Sequence, residues 1–206
     1  MKRVIAYIDG FNLYFGMRQK GWRRYYWLDV RTLSEKLLKP DQQLVATRYF
    51  TSRVSSTSVD PDQAKRQGRY LEALETLPQT TLHYGHYLAK TVKCFKCGAE
   101  WLTNEEKMTD VNIAVALMED AFKDAFDHAI LISGDSDLVG PLLKVRCLYP
   151  EKRIIVAFPP ERSSVRLRQE ANASFVISRK TLKDSQLPEK ITKSDGFVLA
   201  RPETWK

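Results

Sequence analysis

The chain has 206 residues, 43% of them hydrophobic, with a formal net charge of +8. This length and apolar content suit one domain with a full core, and the lack of a run of about 18 apolar residues excludes a helical membrane span. The basic balance favours a polyanionic partner, most commonly nucleic acid, over the plainer reading of a merely basic protein.

Only Lys2 and Arg3 precede the first strand-like run, Val4 to Ile8, and no small-residue cleavage site follows. A secretory signal is therefore not expected. The three cysteines are too few and too unevenly placed for a disulfide framework, so a reducing cytoplasm is the expected setting. Asp9 to Arg18 reads as a turn into a helix with Leu13, Tyr14 and Met17 on one face. Trp22-Arg23-Arg24-Tyr25-Tyr26-Trp27 is a loop that interleaves rings with cations. Asp29 is placed to cap a helix over 30–38, ended by Pro40. A strand over 44–50 and a serine-rich loop over 52–60 follow, and Asp60-Pro61 then opens a helix that stops at Pro78.

A third strand is expected over 80–87. Residues 88–104 interrupt the pattern with a small insert around Cys94-Phe95-Lys96-Cys97-Gly98. Thr103-Asn104-Glu105-Glu106 has capping-box spacing and predicts the start of a long helix to about Phe126. Its buried stripe is expected to be Val111, Ala114, Val115, Met118, Phe122 and Ala125. A buried strand over 129–132, a helix over 138–147, a strand over 153–158 and a helix over 163–173 come next. A short extended piece covers 175–177, and the chain beyond about Ser185 reads as a surface tail, so the expected division is a domain over 1–185 and a tail over 186–206. Strands alternating with helices predict a mainly parallel sheet covered on both faces.

Two strands end in acid. Asp9 closes the first, and Leu131-Ile132-Ser133-Gly134-Asp135-Ser136-Asp137 carries two carboxylates past the end of the fourth. In a sheet of order 3-2-1-4-5 these strands are neighbours at the reversal point, where ligands of open α/β sheets bind. Asp110, early in the long helix, is expected to face the same crevice with Val111 turned to the core. Converging carboxylates repel unless a cation neutralises them, and hard oxygen donors suit Mg²⁺ or Mn²⁺. Such ions serve phosphodiester hydrolysis. The plainer reading of each acid alone is a helix cap or a turn former.

Three stretches together resemble the NYN domain, a branch of the PIN-like nuclease superfamily, in its LabA-like form. They are Tyr7-Ile8-Asp9-Gly10-Phe11-Asn12-Leu13-Tyr14, Glu105-Glu106-Lys107-Met108-Thr109-Asp110-Val111-Asn112-Ile113-Ala114, and Leu131 to Leu138. The resemblance implies a PIN-like three-layer α/β/α sandwich and a metal-dependent ribonuclease. It places Asp9, Asp110, Asp135 and Asp137 as ligands of Mg²⁺ or Mn²⁺. Asn12 is implied to hydrogen-bond an aspartate or the scissile phosphate, and Ser133 to fix a carboxylate or a water. Lys107 is a candidate phosphate contact, or else a solvated lysine.

Cys94 and Cys97 have the spacing of half a zinc knuckle. His83 and His86 lie upstream, but residues three apart in a strand point to opposite faces, so both reach one ion only with difficulty. The alternative is a metal-free hairpin turn, and Lys90, Lys93 and Lys96 make the insert basic. Arg23 and Arg24 beside aromatic rings, and Arg162, Arg166 and Arg168 near the last helix, are candidate contacts to single-stranded RNA. The expected function is a divalent-metal-dependent endoribonuclease. The alternatives are a non-catalytic RNA-binding adaptor with this fold and a metal-dependent phosphatase. No membrane partner is expected, and the sequence leaves the oligomeric state open, a homodimer included.

Overall fold

A computed structural model describes residues 1–206, without the side chains of 88–90 and 101–106. In chain order the elements are β1 (Lys2–Asp9), α1 (Gly10–Gln19), α2 (Val30–Lys36), β2 (Gln42–Thr51), α3 (Gln63–Glu75), β3 (Thr80–Tyr84), β4 (His86–Lys93) and β5 (Glu100–Lys107). They continue with α4 (Thr109–Phe122), β6 (His128–Ile132), α5 (Val139–Leu148), β7 (Arg153–Phe158), α6 (Val165–Glu170), β8 (Ala173–Val176) and α7 (Arg179–Lys183), then β9 (Lys190–Thr192) and β10 (Val198–Ala200).

The central sheet has six strands in the order β3-β2-β1-β6-β7-β8, and all its pairings are parallel. This is the expected order with two differences. The expected hairpin insert supplies two strands over 86–107, wider than the expected 88–104, which renumbers those after it, and Ala173–Val176 adds a sixth strand at the edge. β1 lies in the middle and feeds both faces, as strand alternation requires. Val4, Ala6 and Ile8 join a core with Leu13, Trp27 and Leu71. Ile5 and Tyr7 join a second core with Ile113, Leu142 and Phe158 on the other face. The result is an α/β/α sandwich.

Four local expectations are corrected. The third strand stops at Tyr84, and the chain turns at Gly85, whose N–H donates to the Thr51 carbonyl at 2.8 Å. Thr103 to Glu106 do not open a helix. Their backbone forms β5, paired antiparallel with β4, and their proposed capping side chains lie outside the described residues. The helix begins at Thr109, after Met108 takes a left-handed φ of 80° that swings the chain out of the hairpin.

The predicted stripe of α4 is its exposed face. Val111, Val115, Met118 and Phe122 are 51, 59, 38 and 78% exposed, whereas Ile113, Ala116, Leu117 and Ala121 are buried. Asp120 fixes that rotation. It is buried and accepts from Tyr7 Oη at 2.7 Å, Arg48 Nε at 2.6 Å and a second Arg48 nitrogen at 2.5 Å. A buried carboxylate so paired cannot turn to solvent without stranding the arginine.

The tail does not lie on the surface. Leu187, Leu199 and Trp205 are buried in the first core. Trp205 meets Tyr26, Trp27 and Tyr70 at ring-centroid distances of 5.7, 6.3 and 6.0 Å. The Trp22–Trp27 loop accordingly supplies core: Tyr25, Tyr26 and Trp27 are buried, and Trp27 Nε1 donates to the Pro188 carbonyl at 2.8 Å. Among the described residues, no helix is long and apolar enough to cross a membrane.

Candidate active site

The sheet register builds the site. Ile8 of β1 pairs with Ile132 of β6, so Asp9 and Ser133 leave adjacent strands side by side. This is the reversal point, since β1 continues to β2 on its other side. Asp9 caps α1 by accepting the Asn12 N–H on Oδ1 at 2.9 Å. Its Oδ2 accepts from Ser133 Oγ at 2.9 Å. That hydroxyl oxygen in turn accepts the Asp135 N–H at 3.0 Å. Asp135 Oδ1 accepts the Asp137 N–H at 3.0 Å, and Asn12 Oδ1 accepts the Gly134 N–H at 3.1 Å. The two motif loops are thus tied together by Asn12 and Ser133.

Glycine is required at two positions here. A Cβ on Gly134 would lie 2.8 Å from the Arg162 carbonyl carbon and 2.9 Å from the Ser163 nitrogen. A Cβ on Gly10 would meet the Tyr49 phenol at 2.6 Å and the Phe50 carbonyl oxygen at 2.8 Å. Both glycines let backbone approach that a side chain would prevent.

Asp9 is only 3% exposed. Burial pushes its carboxyl above the ordinary aspartate value, and the Asp135 charge pushes the same way. The hydrogen bonds from Asn12 and Ser133 oppose this without cancelling it. Two adjacent anions, one of them desolvated, make a site short of positive charge. Mg²⁺ is commonly held by one or two carboxylates while keeping several waters, and Asp9 with Asp135 fits that need.

The other expected ligands stand further out. Asp137 is exposed on the 3-10 turn Ser136–Leu138, and Asp110 is half-buried in the first turn of α4, which packs on that turn. Val111, expected to point to the core, is exposed instead. Among the described residues no three Asp, Glu, His or Cys side chains form a metal-holding group.

The basic candidates separate. The backbone of Arg162 packs on Gly134, its guanidinium lies 5.9 Å from the Phe15 ring centroid, and its Nε is buried without a hydrogen-bond partner among the described residues. Lys107 ends β5 and is half-buried. Arg166 is exposed on α6, and Arg168 covers the Phe158 ring at 5.0 Å. Arg23 and Arg24 are exposed on a 3-10 turn, where the Arg24 carbonyl accepts from Arg201.

The cysteine pair sits at the hairpin tip. The Cys94 N–H donates to the Ala99 carbonyl at 2.8 Å, and the Gly98 N–H to the Cys94 carbonyl at 2.9 Å, with Gly98 at φ +74°. Backbone N–H groups of Cys97 and Lys96, with the Cys97 side chain, hold the Cys94 thiol below its usual pKa. His86 opens β4 at the far end of the hairpin, roughly 26 Å of strand away. His83 is stacked on Phe50 at 4.7 Å. The tip therefore presents two of the four donors that tetrahedral zinc takes. The Lys90 side chain lies outside the described residues.

A second concavity flanks the acidic site. It is a cleft of about 920 Å³ whose lining includes Phe11, Tyr14, Arg18, Tyr49, Tyr70 and Trp205. Helix α1 divides the two: Asn12 and Gly16 face the acidic loops and the Pro160 segment, while Tyr14 and Arg18 face the cleft. Neither this cleft nor the Tyr7–Asp120–Arg48 network was foreseen. A signal for the network was present, since Glu119 and Asp120 together interrupt the apolar run from Ile113 to Ala121 and the second of them falls on the face of Ile113 and Leu117.

The NYN domain family matches residues 3–179. The chain belongs to the NYN domain family. It is thereby a member of the PIN-like nuclease superfamily, whose chemistry is in general hydrolytic. The match does not resolve the LabA-like branch.

Among curated proteins, this NYN chain is similar to the 6-hydroxy-3-succinoylpyridine 3-monooxygenase HspA of Pseudomonas putida (strain DSM 28022 / S16), at 27% identity over 98% of this chain and 75% of the relative. Among solved structures it is similar to a protein of unknown function from Vibrio parahaemolyticus RIMD 2210633, with a TM-score of 0.55 and 19% identity. That match covers 90% of this chain and 96% of the other. At that identity the likeness speaks to the fold alone.

Proposed function

We propose that this NYN protein is a divalent-metal-dependent endoribonuclease acting on single-stranded RNA at the carboxyl edge of β1 and β6. The observation that carries the reading is the Asp9–Ser133–Asp135 network: a buried carboxylate tied through Ser133 to the Asp135 backbone N–H, with its proton affinity raised by burial and by the Asp135 charge. Asp9 and Asp135 would hold Mg²⁺ or Mn²⁺, with Asp110 and Asp137 as further carboxylates on the elements beside them. When bound, such an ion supplies Lewis acidity, lowering the pKa of water and offsetting charge on the phosphoryl oxygens.

The chain's own residues do the positioning. Ser133 donates to Asp9 and fixes the carboxylate's orientation. Asn12 locks the Gly134 loop against α1, so Asp9 and Asp135 keep their spacing. Arg162, whose backbone packs on Gly134, is the residue we assign to contact a phosphate oxygen. Lys107, Arg23, Arg24 and Arg166 are further assigned phosphate contacts, whose contribution falls as salt rises.

The test is incubation of labelled single-stranded RNA with the protein and Mn²⁺, with and without EDTA, beside an Asp135→Asn variant. Cleavage that EDTA abolishes, and a loss of at least about a hundred-fold in the variant with its fold retained, is expected. Full activity of Asp135→Asn in clean protein refutes the assignment. Binding without cleavage favours the adaptor, and turnover of a small phosphate ester alone favours the phosphatase.

A second reading has one observation in its favour. The Pseudomonas relative is named for a monooxygenase acting on a substituted hydroxypyridine, and the aromatic cleft beside α1 suits a small ring substrate. Turnover of a hydroxypyridine by protein that leaves RNA intact would replace the first reading with this one.

A further inference from the structure

The cleft beside α1 has the size of a ligand site, about 920 Å³. Its walls come from distant parts of the chain: Phe11 and Tyr14 from α1, Tyr49 from β2, Tyr70 from α3 and Trp205 from the C-terminal segment. Tyr49, Tyr70 and Trp205 are buried and form the fixed inner surface. Phe11 and Tyr14 are half-buried at the cleft wall, Phe11 against Phe15 and Tyr87 and Tyr14 against Phe15 and Tyr26. Tyr70 is anchored by donating its hydroxyl to the Leu28 carbonyl at 2.9 Å.

Charge is distributed in a matching way. Arg18 and Arg23 line the cleft, are exposed, and form no ion pair among the described residues. Both lie close enough to Tyr26 to pull its phenol down, although burial and Tyr14 outweigh them and leave it raised to about 12. Arg66, the other guanidinium of the lining, is already engaged by Asp60. An aromatic inner wall, with two guanidinium groups at the edge that form no ion pair among the described residues, is complementary to a ligand with a flat ring at one end and an anion at the other.

We propose that this cleft binds a planar aromatic ring carrying an anionic group, the ring against Phe11 and Tyr14 and the anion on Arg18 and Arg23. Two sources supply that chemistry: a nucleotide, free or within a single strand, and a small aromatic carboxylate. Stacking of a ring on such side chains contributes about 1–3 kcal/mol. Gly10 joins the cleft to the acidic site, since Asp9 precedes it and Tyr49 packs on it.

The inference stands apart from metal-dependent cleavage, and calorimetry on the full chain tests it. The probes are a nucleoside monophosphate, a pyridinecarboxylate and ribose phosphate, the last carrying the anion without a ring. At least one ring-bearing anion is expected to bind about ten-fold or more tighter than ribose phosphate. The double variant Arg18→Gln/Arg23→Gln, altered only at exposed positions, is expected to weaken that binding about ten-fold. The tighter of the two ring ligands identifies the source. Asp135→Asn is expected to bind the ring ligand as the parent does, even where cleavage is lost, which separates this proposal from the nuclease reading. No ring anion bound at about 10 mM, equal binding of ribose phosphate, or an unchanged affinity in the double variant overturns it.

Discussion

Asp9 serves two purposes that pull in opposite directions. As N-cap it satisfies the start of α1, and as a buried carboxylate it is destabilising when charged. Its carboxyl titrates above the ordinary aspartate value, so the folded chain binds this proton more tightly than the unfolded chain does. Stability from this group is therefore greatest below the ordinary value of about 3.9 and falls as pH rises through the raised folded value. Asn caps a helix about as well as Asp and carries no charge. In chelator, Asp9→Asn is expected to melt no lower than the parent at neutral pH, with the difference closing below about pH 4, while cleavage is lost. Thermal melts across that range check it, and a variant clearly less stable at pH 7 removes the argument. Asp9, Ser133 and Asp135 were legible because apolar runs stop abruptly at small or acidic residues, and parallel order then puts those ends together. Asp120 was not legible as a buried residue. Its partner Arg48 lies 72 positions away, and the two meet only because β1 and β2 pair Tyr7 with Arg48 and α4 packs across both strands.

Helix α4 shows what periodicity leaves open. It is apolar nearly all round, so 3.6-residue spacing offers two faces, one through Val111, Val115, Met118 and Phe122 and one through Ile113, Ala116, Leu117 and Ala121. The choice is made by Asp120, which lies with the second set and turns it inward. The two faces are therefore predicted to respond differently. Ile113→Ala deletes fully buried atoms and is expected to cost about 2–4 kcal/mol. Val111→Ser changes a residue 51% exposed and is expected to stay within about 0.5 kcal/mol. Urea unfolding of both variants decides it, and equal costs would mean that the helix rotation is wrong. The hairpin is a similar case. Thr103 to Glu106 satisfies the local rule for a helix start, yet its backbone pairs with β4 along the whole length of β5. Eight strand pairings outweigh a cap that needs the following residues to be helical.

At the scale of the whole molecule the decisive feature lies beyond the family match, which ends at residue 179. The segment after α7 closes one end of the sandwich. Asp29 N–H donates to the Ser185 carbonyl at 2.8 Å, Leu187 N–H to the Trp27 carbonyl at 3.0 Å, and Arg69 reaches the Ala200 carbonyl at 3.4 Å. Its apolar residues are spread singly among charges and prolines, so no periodic pattern marks them as core. Each docks in a place formed by chain far upstream, which composition cannot show. Trp205 is the last of these and the largest, 8% exposed and edge-on to Tyr26 and Tyr70. Replacing a buried tryptophan with alanine costs about 3–5 kcal/mol, and this one, near a cleft where the walls can relax, belongs at the lower end. For a domain of this size each kcal/mol moves Tm by about 2–4 °C, so Trp205→Ala is expected to lower Tm by about 6–12 °C. Calorimetry on the full chain measures this directly. A Tm within a degree or so of the parent would show that the segment rests on the sandwich without supporting it, whereas the expected drop makes the C-terminal residues part of the folding unit and of the cleft wall together.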